Sequence, residues 1–110
     1  MNKILTLAVL LFSSGWALSQ VEGPVMDDQR IVTDSISYQI KASSAGILVF
    51  DIAVDNNGNV TSCTLNRDSS THKSMKSAYE AKNRILMNLK FEKGTKFPVH
   101  HQGRVIITAQ

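Results

Sequence analysis

The chain has 110 residues, 12 Lys and Arg against 9 Asp and Glu, and a single cysteine. That length fits one domain with a thin core, and one thiol, Cys63, excludes an internal disulfide. Charge is uneven along the chain: residues 20–66 sum to −4 and residues 67–110 to +6. Such asymmetry suits self-association or an anionic partner, and a solvated helix face is its commoner cause.

Residues 1–19 read as a secretory leader. Lys3 forms a short basic start, residues 4–12 are apolar, and Ala17-Leu18-Ser19 offers small residues for cleavage before Gln20. An uncleaved anchor is the alternative reading, but residues 4–18 are shorter than the roughly 20 apolar residues that cross a bilayer. The expected location is periplasmic or secreted, with no stable membrane span after cleavage. For an exported chain with few aromatics, nucleic acid is a poor partner.

Residues 20–45 give conflicting signals. Glu22-Gly23-Pro24 and Asp27-Asp28 are polar; Ile36, Tyr38 and Ile40 alternate as in a strand, while Ile36 and Ile40 are also one helical turn apart. This segment is left without an assigned structure. Residues 46–67 are clearer. Leu48, Phe50, Ile52 and Val54 alternate with Val49, Asp51, Ala53 and Asp55, the period of a half-buried strand, and Asn57-Gly58 marks a type I′ hairpin turn. The implied register sets Phe50 against Leu65, Asp51 against Thr64, Ile52 against Cys63, Ala53 against Ser62 and Asn56 against Asn59, which makes Cys63 a small buried hydrophobe.

Asp68-Ser69-Ser70-Thr71 supplies N-cap residues for a helix reaching about Leu89. Met75, Ala78, Tyr79, Ile85, Leu86 and Leu89 form its expected inner face, with Tyr79 read as core. Lys73, Lys76, Glu80 and Arg84 face outward. Residues 90–103 hold Gly94, Pro98 and Gly103 and read as a loop from which Phe91 and Phe97 fold back on the core. Residues 104–110 form a last strand, with Val105, Ile107 and Ala109 on one side and Arg104, Ile106 and Thr108 on the other. The expected fold class is α+β: β-β-α-β, one helix packed on a small three-stranded antiparallel sheet.

No convergent acid, base and nucleophile stand out, so no catalytic residue, no cofactor and no small-molecule substrate are expected. His100 and His101 are adjacent and would point in opposite directions on an extended chain, so they make a poor metal site. Asp51 and Asp55 read as solvated strand positions. Asn59-Val60-Thr61 and Asp34-Ser35-Ile36 fit short N- and O-glycosylation patterns.

Residues 46–110 resemble the TonB C-terminal domain, the periplasmic end of the energy transducer of Gram-negative envelopes. The resemblance rests on the Gly46-led strand, Val54-Asp55-Asn56-Asn57-Gly58-Asn59-Val60 at the turn, Ser69-Ser70-Thr71 before the helix, Ala78 and Ala81 within it, Lys90-Phe91 at its exit, and Gln102-Gly103-Arg104-Val105. The family's Tyr-Pro segment before the first strand is missing, Glu92-Lys93-Gly94 replaces the Pro after the helix-exit aromatic, and residues 20–45 hold no Pro-rich spacer. The resemblance implies a non-enzymatic protein-binding module that accepts an extended peptide of an outer-membrane receptor by strand pairing. A free-standing accessory envelope protein that keeps the fold without that role is the alternative. The implied partner-binding edge is the last strand, Arg104, Val105, Ile106, Ile107 and Thr108, which carries no Pro or Lys and is unguarded if it lies outermost. Its occupant would be a receptor peptide or a second copy of the chain.

The Ala17-x-Ser19 site leads to one expectation. N-terminal sequencing of the exported protein should begin at Gln20, and the mature chain should lack the indole absorbance of Trp16; an intact residue 1–20 stretch in the envelope fraction would support the anchor instead.

Overall fold

The computed structural model describes residues 20–110, so the expected leader and cleavage site lie outside the described residues. In chain order the elements are β1 (Val21–Glu22), α1 (Pro24–Asp27), β2 (Val32–Asp34), β3 (Gln39–Ile40), β4 (Gly46–Val54), β5 (Val60–Leu65), α2 (Met75–Asn88), β6 (Lys90–Phe91) and β7 (His101–Ala109).

Alternating side chains make the β4–β5 hairpin, and its register is the expected one along most of its length: Phe50 opposes Leu65, Asp51 Thr64, Ile52 Cys63 and Ala53 Ser62. The turn differs. A type I′ turn needs positive φ at two successive residues, and here only Gly58 has it, at φ +85°. Asp55 reshapes the loop: its Oδ1 accepts the N–H groups of Asn57 and Asn59, each at 2.9 Å, and its carbonyl accepts that of Gly58 at 3.1 Å. The register slips by one residue after Ala53, Val54 pairs with Val60, and Asn56 does not oppose Asn59. A side chain at position 58 is excluded twice, by the φ angle and because its Cβ would sit 2.0 Å from the Phe91 carbonyl oxygen.

The α+β class holds, with helix α2 against a sheet, but the sheet is larger than three strands. β7 pairs antiparallel with β4 along nine residues, from Gly46 opposite Ala109 to Val54 opposite His101. It does not end the sheet: β1 lies antiparallel on its outer side (Val21 opposite Val105), and β3 lies parallel beyond it (Gln39 opposite Thr108). The strand order is β1-β7-β4-β5, with β3 also on β7, and β2 with β6 forms a separate two-stranded sheet. The segment left unassigned from sequence is therefore a strap along β7. It contributes Val21, Val25 and Ile40 to the core formed by Leu48, Phe50, Ile52, Ile85, Leu89, Phe91, Val105 and Ile107.

Arg30 fastens the strap. Its guanidinium is 1 % exposed and donates to the Glu92 carbonyl at 3.0 Å, the Asp55 carbonyl at 2.7 Å and His101 Nδ1 at 3.2 Å, while lying 4.3 Å above the Phe97 ring. A guanidinium can only donate, so Nδ1 accepts and the imidazole proton sits on Nε2, which donates to Asp28 Oδ2 at 2.7 Å. Burial pulls the Arg30 pKa down from its ordinary value, and Glu92 and Asp55 oppose that shift. At the other end of the strap, Arg84 of α2 donates to the carbonyls of Ser37 and Gln39 at 2.9 and 2.8 Å. Gly103 makes room for α1: a Cβ there would come 2.6 Å from Val25 Cγ2.

Helix α2 starts later than the N-cap cluster suggests. Ser70 Oγ and Thr71 Oγ1 accept the Val49 and Ile47 N–H groups, both at 2.9 Å, and the Thr71 and His72 N–H groups donate to the Ile47 carbonyl. These residues extend the sheet past β5, and Ser74 caps the helix by accepting the Ser77 N–H. Ser77, Ala78, Ala81 and Ile85 form the buried stripe. At about 100° per residue, Met75 falls about 60° and Tyr79 about 100° beyond Ala78, the edge of that stripe, and they are 58 % and 70 % exposed; the expectation of a core Tyr79 is not met.

Cys63 lies on the buried face as expected, and burial pushes its thiol up to about 12, with Lys82 pulling the other way. The ordinary value is 9.0. The preference for the neutral thiol therefore contributes stability below about pH 9, and that contribution is lost as pH rises toward 12. Denaturant titrations across this range should show a steeper alkaline loss for the natural chain than for Cys63→Val. Cys63→Asp should cost about 2–5 kcal/mol at neutral pH. Rapid thiol labelling of the native chain would contradict the burial.

Candidate functional site

The expected partner-binding strand sits inside the sheet. Val105 and Ile107 are fully buried in the core. Arg104 lies on the opposite face, with Nε 3.2 Å from Asp51 Oδ1. The outer hydrogen bonds of this strand are already made: Ile106 N–H donates to Gln20 O at 2.8 Å, Thr108 N–H to Tyr38 O at 2.8 Å, and Gln110 N–H to Ile40 O at 3.1 Å. The condition for an unguarded edge, that β7 lie outermost, is not met, because the strap fills that place.

The unpaired edge is β5. The bond from Asn66 N–H to Val49 O, read with the hairpin register, turns the N–H groups of Ser62 and Thr64 toward β4 and those of Cys63 and Leu65 outward. At the start of the strand, Asn59 bridges to Lys90 and the Phe91 N–H donates to Gly58 O, so β6 covers the first part of this edge. Among the described residues no strand pairs with the remainder.

Beside the open edge runs a groove bounded by the first turns of α2. One part, of about 110 Å³, has Phe50, Leu65, Met75, Ala78 and Tyr79 along it and Arg67 and Lys82 at its rim. It continues into a smaller cavity that shares Leu65, Arg67 and Met75 and adds Ser70, His72, Lys73 and Ser74. Arg67, Lys73 and Lys82 make no ion pair among the described residues. The groove thus joins unpaired main-chain groups, exposed apolar side chains and three cations. Sequence reasoning missed Met75 and Tyr79 by placing them in the core. The spacing of Ala78, Ala81, Ile85 and Leu89 already completes an inner stripe, and that was the available signal.

Other chemistry-bearing residues are dispersed. His100 is exposed while His101 is buried in the Arg30 network, so the two do point apart as expected. Among the described residues no three His, Cys, Asp or Glu side chains are grouped to hold a metal. Asp51 pairs with Arg104 and accepts from Asn66, and Asp55 shapes the turn. Ser35 and Asn59 are exposed. No helix among the described residues is long and apolar enough to cross a membrane.

No family model matches the chain, and no curated protein or solved structure is similar enough to match it.

Proposed function

We propose that the chain is an exported, non-enzymatic protein-binding module, of the kind the TonB C-terminal resemblance implies, that takes an extended segment of another protein as an added strand on β5. The observation that carries this reading is the unpaired β5 edge lying beside the apolar, cationic groove of Leu65, Met75, Tyr79, Arg67 and Lys82. Strand addition draws affinity from main-chain hydrogen bonds and selectivity from alternate side chains. The groove supplies both, with Tyr79 and Met75 to cover apolar side chains and the cations to favour acidic ones. A receptor peptide at β7, the position the resemblance implies, would first have to displace the strap.

Charge argues for a different protein as the occupant rather than a second copy. A second copy pairing through β5 would set Val60–Leu65, which contains no Asp or Glu, beside Arg67, Lys73 and Lys82 and leave those cations unanswered. The alternative, an accessory envelope protein that keeps the fold without the transducer role, draws support from the same closed β7 edge.

The test is a photo-crosslinking residue at position 79 or, separately, at 108, in the full chain expressed with its leader in its native host. Position 79 should yield an adduct with another protein, and position 108 should not. Leu65→Pro removes an outward N–H without touching the ladder to β4; with its circular dichroism unchanged, it should reduce the adduct about fivefold to tenfold. An adduct of twice the chain's mass, adducts from 108 alone, or an adduct indifferent to Leu65→Pro would each overturn the reading.

A further inference from the structure

The small cavity at the start of α2 holds about 60 Å³ and is lined by Arg67, Ser70, His72, Lys73 and Ser74, with no carboxylate among the described residues of its wall. His72 is only 6 % exposed, yet neither Nδ1 nor Nε2 has a hydrogen-bond partner among the described residues. Its backbone is fixed, because the His72 N–H donates to the Ile47 carbonyl at 3.0 Å and Gly46 lies against it so closely that a Cβ there would be 3.0 Å from His72 Cβ. An imidazole that only filled space here would bury two polar atoms for nothing, where a phenyl ring would bury none.

Three further features of the wall favour an anion. Arg67 and Lys73 are exposed cations without an ion-pair partner among the described residues. The cavity lies at the N-terminus of a 14-residue helix, whose first N–H groups have no intrahelical acceptor. Ser74 Oγ is engaged with the Ser77 N–H, which leaves the N–H groups of Met75 and Lys76 outside the cap.

We propose that this cavity is an oxyanion-binding subsite in which His72, Arg67, Lys73 and the first turn of α2 hold a carboxylate or phosphate group. The inference deepens the strand-addition reading and rests on it for the ligand's source: a carboxylate of the docked segment, entering from the neighbouring groove. A free phosphate would present the same chemistry to the same donors, so the experiment separates the two.

The full chain, with its histidine ring nitrogens labelled with ¹⁵N, is titrated with sodium acetate and separately with inorganic phosphate, at ionic strength held constant with chloride so that general screening does not change. The expected result is a saturable shift of the His72 ring signals with acetate, the planar group that stands for a peptide carboxylate. Arg67→Ala with Lys73→Ala, both surface positions, should raise the half-saturating concentration about tenfold, the scale of two lost solvent-exposed charge contacts. Saturation by phosphate but not acetate would keep the subsite and reassign its ligand to a free or esterified phosphate, overturning the carboxylate assignment. His72 signals that respond to neither anion, or a half-saturation unchanged in the double variant, would overturn the subsite itself. Neither small anion can add a strand, so this result stands apart from the crosslinking one: the subsite can fail while β5 pairing holds, and pairing can fail while the subsite binds.

Discussion

The buried guanidinium of Arg30 is the contact on which the arrangement of the sheet depends. It joins three parts of the chain that are far apart in sequence: the strap that carries it, the β4–β5 turn through the Asp55 carbonyl, and the segment from the end of β6 to the start of β7 through Glu92 and His101. A charge this deep is tolerated only when its donors are satisfied. Here two carbonyls, an imidazole nitrogen and the face of Phe97 meet that requirement together. The positive φ of Gln29, at 61°, belongs to the bend that delivers Arg30 to this site.

Because the strap is pinned there and gripped again by Arg84, β7 becomes an interior strand. The two edges of the antiparallel trio then have different fates. On one side, β1 and β3 take up the main-chain groups of β7; on the other, β5 ends the sheet with outward N–H groups and no covering strand among the described residues. Natural sheets guard such edges with charge, bulges or brevity. In this chain the bulge and the β6 bridge protect the start of β5, and the remainder opens onto a groove with exposed Met75 and Tyr79. The proposed binding role follows from this asymmetry, as does the placement of an anion subsite at the groove's end.

The features legible in the sequence were those with local causes. Alternation from Ile47 to Asp55 set the face and register of the hairpin, put Cys63 inside, and the same period separated Val105 and Ile107 from Ile106 and Thr108. What escaped was non-local. β1 and β3 have two residues each, too few to show a period, and they exist because β7 offers them partners. The contact between Arg30 and His101 spans 71 positions and leaves no pattern. Asn57-Gly58 correctly marked a turn at Gly58, but the type was decided by the Asp55 carboxylate, which captured two amides of the loop. Ser70 and Thr71 have the chemistry of helix caps and use it on β4 instead, and this hid both the start of α2 and the burial of His72.

Amide hydrogen exchange on the full chain tests the central claim, that the strap closes the β7 edge and leaves β5 open, most directly. The account predicts that the Ile106, Thr108 and Gln110 amides exchange slowly, each held by a carbonyl of the strap, while those of Cys63 and Leu65 exchange rapidly in the absence of a partner. Rapid exchange at Ile106 and Thr108 together with protection at Cys63 and Leu65 would contradict it.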